Sequence, residues 1–317
     1  MSISEHKKIV RFSDFKMEKK LNLDIAGTVS EFERLMREFL IRRVLYRIIF
    51  RGKGLEFDSY RDFSPDDDAG DIDWKASARA NKLLAKQYIE ERDLKFIFVI
   101  DVGENMLFGS EEKLKCEYAA EAAAALSHLI LNSNDAVGFV FFSEDIIKIV
   151  LPKKGMKQFS IFVDELSNPL LYGGNSDVKK ALDSLLEYLN DSINAVIILS
   201  DFIRMDKDTS QTLDLFSRRF ETIAIMIKDS LDKTFPKIGG EIIIEDPKTK
   251  EQMIINPAVA KKAYEKNALE QDSMVKKIFT ECGIDFLEVM TNEHIALKLA
   301  EFLKERVEKR KYISPTK

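Results

Sequence analysis

Cysteine and histidine are nearly missing from this chain: two of the first and three of the second in 317 residues. Cys116 and Cys282 stand far apart, and His6, His128 and His294 are isolated, so no Cys/His set has zinc-site spacing. Two lone cysteines also exclude a disulfide scaffold and fit reduced thiols in a cytoplasmic protein. Proline and glycine are scarce, at 7 and 13, which excludes fibrous and low-complexity classes. Neither sign of charge is in excess. The 49 Lys and Arg face 54 Asp and Glu, a net of -5, which gives no case for nucleic acid as a partner. No run approaches the ~18 apolar residues that a membrane span needs, so membrane contact is not indicated. The opening MSISEHKKIVRF lacks the apolar stretch of a secretory signal. A glycine-rich phosphate loop ending in Lys-Ser/Thr, a G-x-S-x-G elbow and internal repeats are all absent.

What is present is an alternation of short apolar runs and helical patterns. The stretch KFIFVIDVGENMLF (95–108) holds a β-branched and aromatic run that stops at Asp101, followed by Gly103 and Asn105. Such a run reads as a strand buried on both faces of a parallel sheet. A long Ala-rich helix follows at 111–132, with Leu114, Ala119, Ala122, Leu126 and Leu129 on one face. Residues 136–142 and 146–151 read as an antiparallel pair at a sheet edge, and 156–166 as a helix. The loop YGGNSD (172–177) leads into a helix at 178–189 that Ser176 or Asp177 caps. Residues 195–199 form another buried strand, ending at Asp201. A helix at 209–219, a strand at 222–227, a hairpin at 241–256, a helix at 257–282, a strand at 285–289 and a last helix at 292–309 complete the pattern. The fold class expected is α/β: a doubly wound, mostly parallel sheet with one antiparallel edge strand, flanked by helices. The expected divisions are a flexible 1–27, an extension at 28–93 packed on the main domain, the main domain at 94–310, and a tail at 311–317.

Three places invite a function. The first is basic: a helix capped by Thr28 or Ser30 and running to about residue 50 carries Arg42, Arg43, Arg47, Arg51 and Lys53 toward its end. A solvated face is the commoner meaning of such a run than an anionic partner. The second is acidic: Asp66, Asp67, Asp68, Asp71 and Asp73 crowd beside Trp74, the only tryptophan, with Arg61 and Arg79 flanking. An oxygen-rich cation site is one reading, but the spacing is not that of a calcium loop. The other reading is a structural turn pinned by Arg61 and Arg79, with Asp73 in its core and Trp74 plugged into the interior. The third is the sheet edge. In a doubly wound sheet the loops beyond the carboxyl ends of neighbouring strands converge, which would bring Asp101, Asn105, Ser176 and Asp201 together. That all-oxygen set suits Mg2+ or Mn2+ rather than zinc.

GKGLEFDSYRDFSPDDDAGDIDWKASARANKLLAKQYIEER (52–92) closely resembles the signature of the domain-of-unknown-function family fifty-eight. Its GxGxEF start, Arg61–Asp68 loop, Ile72-Asp73-Trp74, Ser77-Ala78-Arg79 and Glu91-Arg92 stand where that family has them. The helix beginning at Lys113 and the Asp135-x-Val137-Gly138 turn into the second strand agree too, so the resemblance covers roughly residues 40–303. Members carry a von Willebrand factor A (vWA) domain next to that signature, and Asp101-x-Gly103-x-Asn105, Ser176 and Ser200-Asp201 resemble its metal-ion-dependent adhesion site. That pattern is D-x-S-x-S in the first loop, Thr in the second and Asp in the third. Gly103 therefore supplies no hydroxyl, Asn105 stands for the second serine, and Ser176 stands for the threonine.

The resemblance implies a non-enzymatic adaptor or co-chaperone that acts with a MoxR-type AAA+ ATPase and client proteins. Its partner would meet Asp101, Glu104, Asn105, Asn175, Ser176 and Asp201, over a weak Mg2+ or Mn2+ held by Asp101, Asn105, Ser176 and Asp201. Two alternatives stand beside it. One is a Mg-dependent phosphohydrolase or nuclease using Asp101 and Asp201, although the position two after Asp101 is a glycine and no histidine is placed as a general base. The other is a scaffold that recruits an ATPase through residues 28–93.

Overall fold

A computed structural model describes residues 21–38, 56–64, 72–89, 94–234, 242–245 and 252–311. The basic residues 42–53, the aspartates 66–68 and 71, Glu91-Arg92 and the hairpin turn at 246–249 lie outside the described residues.

The β-branched and aromatic runs form the central sheet. Strand β3 (Lys95–Asp101) lies in the middle, with β4 (Ala136–Phe142) on one side and β6 (Ala195–Ser200) on the other, both parallel to it. Beyond β4 the edge strand β5 (Ile146–Lys153) runs antiparallel, as its tight polar turn requires. Beyond β6 come β7 (Glu221–Lys228) and β10 (Asp285–Met290), both parallel. The order β10-β7-β6-β3-β4-β5 reverses direction between β3 and β6, and a doubly wound sheet opens its crevice at that reversal. Asp101 ends β3 and Asp201 directly follows β6, the two strands that flank it.

Side-chain alternation along the strands divides the core in two. Phe96, Phe98 and Ile100 of β3 face one way with Ile197, Leu199 and Phe139, while Ile97 and Val99 face the other with Val196, Ile198 and Val140. The first face is covered by α3 (Lys115–Asn132), α4 (Met156–Leu166) and α9 (Ile295–Lys311). The second is covered by α5 (Val178–Tyr188), α6 (Thr209–Arg219) and α8 (Pro257–Glu281). Helix α3 is buried on nearly every side rather than along one stripe. Ala119, Ala120 and Ala122 to Ala125 are at most 1% exposed, because a further helix, α1 (Ile25–Glu38), lies over α3 and α9. Small side chains let backbones approach from both directions.

That outer helix corrects the expected N-terminal boundary. Residues 21–27 are tied down: Leu21, Leu23 and Ile25 pack on the core, and Glu117 and Glu121 of α3 accept the Asn22 and Asp24 amides. Thr28 is no cap either. It is buried, and its hydroxyl donates to Glu121 at 3.1 Å.

The rest of the extension forms a small unit that the sequence pattern did not suggest. Strands β1 (Glu56–Asp62) and β2 (Leu84–Ile89) pair antiparallel, joined by α2 (Trp74–Ala80). Asp73 caps α2, accepting the Lys75 and Ala76 amides at 3.0 Å and the Tyr60 hydroxyl at 3.0 Å. Trp74 does not plug a core: as the first residue of α2 it is 67% exposed. Arg61 and Arg79 are exposed as well. The hairpin expected at 241–256 is present as β8 (Ile242–Glu245) and β9 (Gln252–Ile255).

Candidate functional site

Three loops meet beyond the carboxyl ends of β3 and β6. The first follows Asp101 and turns into a single 3-10 turn at Glu104–Leu107. The second is the 172–177 loop, zipped to the first by two backbone hydrogen bonds, Glu104 N to Gly174 O and Gly173 N to Val102 O, each 2.7 Å. Gly173 and Gly174 carry φ of +137° and +80°, so the sharp run of this loop depends on glycine. Asp177, not Ser176, caps α5, which leaves the Ser176 hydroxyl free to turn inward. The third loop follows Ser200-Asp201, where Phe202 holds φ at +53°, a left-handed backbone in a fully buried aromatic residue. Its ring sits edge-on to Phe279 of α8 at 5.0 Å, which fixes a conformation the residue would not choose alone.

The structure brings Asp101, Asn105, Ser176 and Asp201 together, as the strand-end positions suggested. Asp101 is fully buried and its oxygens are committed. Oδ1 accepts the Gly103 amide at 2.9 Å, and Oδ2 accepts the Ser176 and Ser200 hydroxyls at 2.7 Å and the Asn105 side-chain amide at 3.2 Å. Burial pushes this carboxyl above the ordinary aspartate range, the nearby Asp201 charge adds to that, and the hydroxyls only partly oppose it.

Asp201 has a different partner. Its Oδ2 accepts from the Lys115 ammonium at 2.7 Å, and its Oδ1 accepts the Ile203 amide at 3.1 Å. The Lys115 side chain, 2% exposed, projects from the first turn of α3 and also reaches Asp232 at 3.1 and 3.2 Å. Asp232 belongs to the short helix α7 (Ser230–Lys233) after β7, where its carboxylate also accepts the Asp229 amide at 2.8 Å. Burial alone would raise Asp201 and lower Lys115, but the pair's mutual attraction wins. The carboxyl lies below, and the ammonium above, its usual range.

Gly103 has a steric reason. A Cβ there would sit 2.6 Å from Asn105 Oδ1, 2.9 Å from Ser176 Cβ and 3.1 Å from Asp101 Oδ1. The space that a side chain at 103 would need is filled by the Asn105 amide oxygen, which is buried and has no hydrogen-bond donor. The glycine at 103 and the asparagine at 105 thus belong together.

The residues fit a divalent cation poorly. Asn105 Oδ1 is one spare oxygen, but Asp101 Oδ2 already accepts three hydrogen bonds and Asp201 is ion-paired. A dication on the Asp201 carboxylate would lie within about 5 Å of the Lys115 ammonium, a repulsion of roughly 7 kcal/mol at an effective dielectric of 20. Among the described residues no group of three or more His, Cys, Asp and Glu is placed to hold a metal.

Above the buried carboxylates the loops present Glu104, Asn105 and Asn175, which are half-buried, and Ile203 and Arg204, which are exposed. Arg204 donates to Asn175 Oδ1 at 3.2 Å, joining the second and third loops at the surface. Ser200 was legible only as the residue before Asp201. Lys115, Asp232 and Arg204 carried no motif signal, since Lys115 and its acidic partners lie 86 and 117 residues apart.

A family model described as "Protein of unknown function DUF58" matches residues 59–274. The uncharacterized protein Rv1480 of Mycobacterium tuberculosis is 25% identical over 259 residues, 80% of this chain and 80% of that protein. Among solved structures, the conserved hypothetical protein BatB from Bacteroides thetaiotaomicron aligns with 68% of this chain and 99% of its own, at 10% identity and a TM-score of 0.42. A von Willebrand factor type A protein from Catenulispora acidiphila aligns with 72% of this chain and 44% of its own, at 14% identity and a TM-score of 0.37.

Proposed function

The chain belongs to the DUF58 family, and from that premise we propose that it is a vWA-type protein-interaction module that docks a partner on its three-loop face. One observation carries this reading. The fully buried carboxylate of Asp101 accepts from Gly103, Asn105, Ser176 and Ser200, so it ties the loops together from beneath and is not exposed to a substrate. The same observation speaks against the phosphohydrolase reading, because a nucleophilic or metal-activating aspartate needs an accessible lone pair. Glu104, Asn105, Asn175, Ile203 and Arg204 form the contact rim, while Asp101, Ser176 and Asp201 act beneath it by fixing its shape.

The partner proposed is a MoxR-type AAA+ ATPase, which the family resemblance suggests, with this chain as adaptor or co-chaperone toward a client. A second surface supports recruitment through the 28–93 extension. Trp74 is 67% exposed at the start of a capped helix, and tryptophan is enriched among residues that dominate interfaces. Capture of the MoxR-type ATPase of the same organism by immobilised full chain tests both surfaces. Arg204→Glu with Ile203→Asp is expected to weaken capture about tenfold or more with the melting temperature unchanged. Undiminished capture by that variant, with loss on Trp74→Ala, would move the interface to the extension. Undiminished capture by both would exclude the two surfaces, and no capture by the unaltered chain would refute the adaptor role.

A further inference from the structure

We propose that the Lys115 ammonium is a built-in replacement for the divalent cation, supplying to Asp201, the acid of the third loop, the positive charge that a metal would otherwise bring. Four observations converge on it. The ammonium sits between Asp201 and Asp232 and lies 5.7 Å from the centre of the Phe108 ring, enclosed on a side chain that is 2% exposed. Asp232 is an acid from a fourth loop, after β7, which has no place in a three-loop ligand set but completes a cage for a monocation with three donors. Asp232 is itself held by the Asp229 amide, so the cage exists independently of the rim. Finally, the oxygen count on the other side is reduced: Gly103 supplies no hydroxyl, and Asn105 fills the room one would need.

A covalently attached cation changes how the site works. Its occupancy does not vary with ion concentration, and a partner carboxylate cannot complete its coordination, since the ammonium is buried beneath the rim. Loop geometry then depends on α3 being in place, because the cation is carried by the first turn of that helix. This inference goes beyond the docking role and stands whichever partner docks.

Mn2+ alone, titrated into the full chain and followed by the loss of its free-ion resonance signal, tests it. The wild-type chain is expected to show no binding that Asp101→Asn or Asp201→Asn removes, and no melting shift in about 5 mM Mn2+. Lys115→Met frees Asp201 and Asp232 and is expected to gain an Asp201-dependent Mn2+ site, with a melting temperature that rises by about 3 °C or more on adding the ion. A wild-type site tighter than about 1 mM that Asp101→Asn abolishes would overturn the proposal, as would a folded Lys115→Met chain that takes up no Mn2+. Where Lys115→Met is too unstable to purify without ion, the pair Lys115→Met with Asp201→Asn is expected to fold and to bind no Mn2+. Failure of that pair to fold would equally overturn it, since the ammonium would then not be acting through Asp201.

Discussion

Replacing Lys115 by methionine keeps most of the side chain's length and removes its charge. At 2.7 Å the gross attraction between Lys115 and Asp201 is about 6 kcal/mol at an effective dielectric of 20. Desolvating both ions takes back much of that, so the intact pair contributes little net stability, but losing one partner strands the other. Asp201, 1% exposed, would keep the Ile203 amide and the Asn105 side chain, with Asp101 still nearby. The expected loss is about 3–5 kcal/mol, or about 10 °C in melting temperature. Adding Asp201→Asn to Lys115→Met should restore about 2 kcal/mol or more, because the amide needs no counter-charge. Urea unfolding followed by far-ultraviolet circular dichroism on the four chains of this cycle supplies the numbers, and unchanged m-values would show that the unfolding unit is the same.

Acid gives an independent sign. The depressed Asp201 carboxyl contributes stability above its ordinary value of 3.8 and loses it as pH falls through the lower folded value. The raised Lys115 contributes below 10.5 and loses it as pH rises through the higher folded value. Without the ammonium, protonating Asp201 relieves a stranded charge, so the gap between wild type and Lys115→Met should narrow on acidification. A single-mutant loss under about 1 kcal/mol, a coupling under about 0.5 kcal/mol, or a gap that widens in acid would refute the reasoning.

Gly103→Ser, which adds a hydroxyl to the first loop, is expected to destabilise by about 1–3 kcal/mol through the contact with Asn105 Oδ1, and Asn105→Ser in the same chain should recover at least half of it. The same unfolding assay reads both. In the small β1–β2 unit, Asp73→Ala should cost about 1 kcal/mol as a lost helix cap, whereas exposed Trp74→Ala should stay within about 0.5 kcal/mol. A Trp74 loss as large as that of a core aromatic would contradict its position. Glu121→Ala leaves the Asp24 amide and Thr28 hydroxyl without their acceptor, and should speed hydrogen exchange across α1 while the amides of β3 and β6 keep their protection.

The central strands were legible because burial on both faces demands unbroken apolar runs, and KFIFVI and AVIILS end at the carboxylates that the topology then gathers. The hairpin of β1 and β2 was not, because EFDSYRD and LAKQYI mix charges into strands that rely on each other and on α2 rather than on the main sheet. Trp74 misled for a similar reason: a lone tryptophan suggests a core, yet the residue after a capping aspartate starts a helix and faces out. At the site, strand ends and a glycine-rich loop announced Asp101, Ser176 and Asp201. Lys115 was hidden in a helix start of mixed charge, EEKLKCE, and no local pattern tells that its acidic partners arrive from two later loops.

The N-terminal helix has a practical side. The stretch by which the family is recognised begins at residue 59, but Phe32, Leu35 and Met36 are already part of the main hydrophobic interior, and buried Glu117 and Glu121 receive the backbone ahead of them. Cutting the gene at residue 59, where the recognised segment starts, would lay bare a greasy seam along α3 and α9 and leave two acids facing it. Such a truncated product should stick to itself or be degraded in the host, and an adhesive N-terminal deletion would then be mistaken for a gain in partner binding.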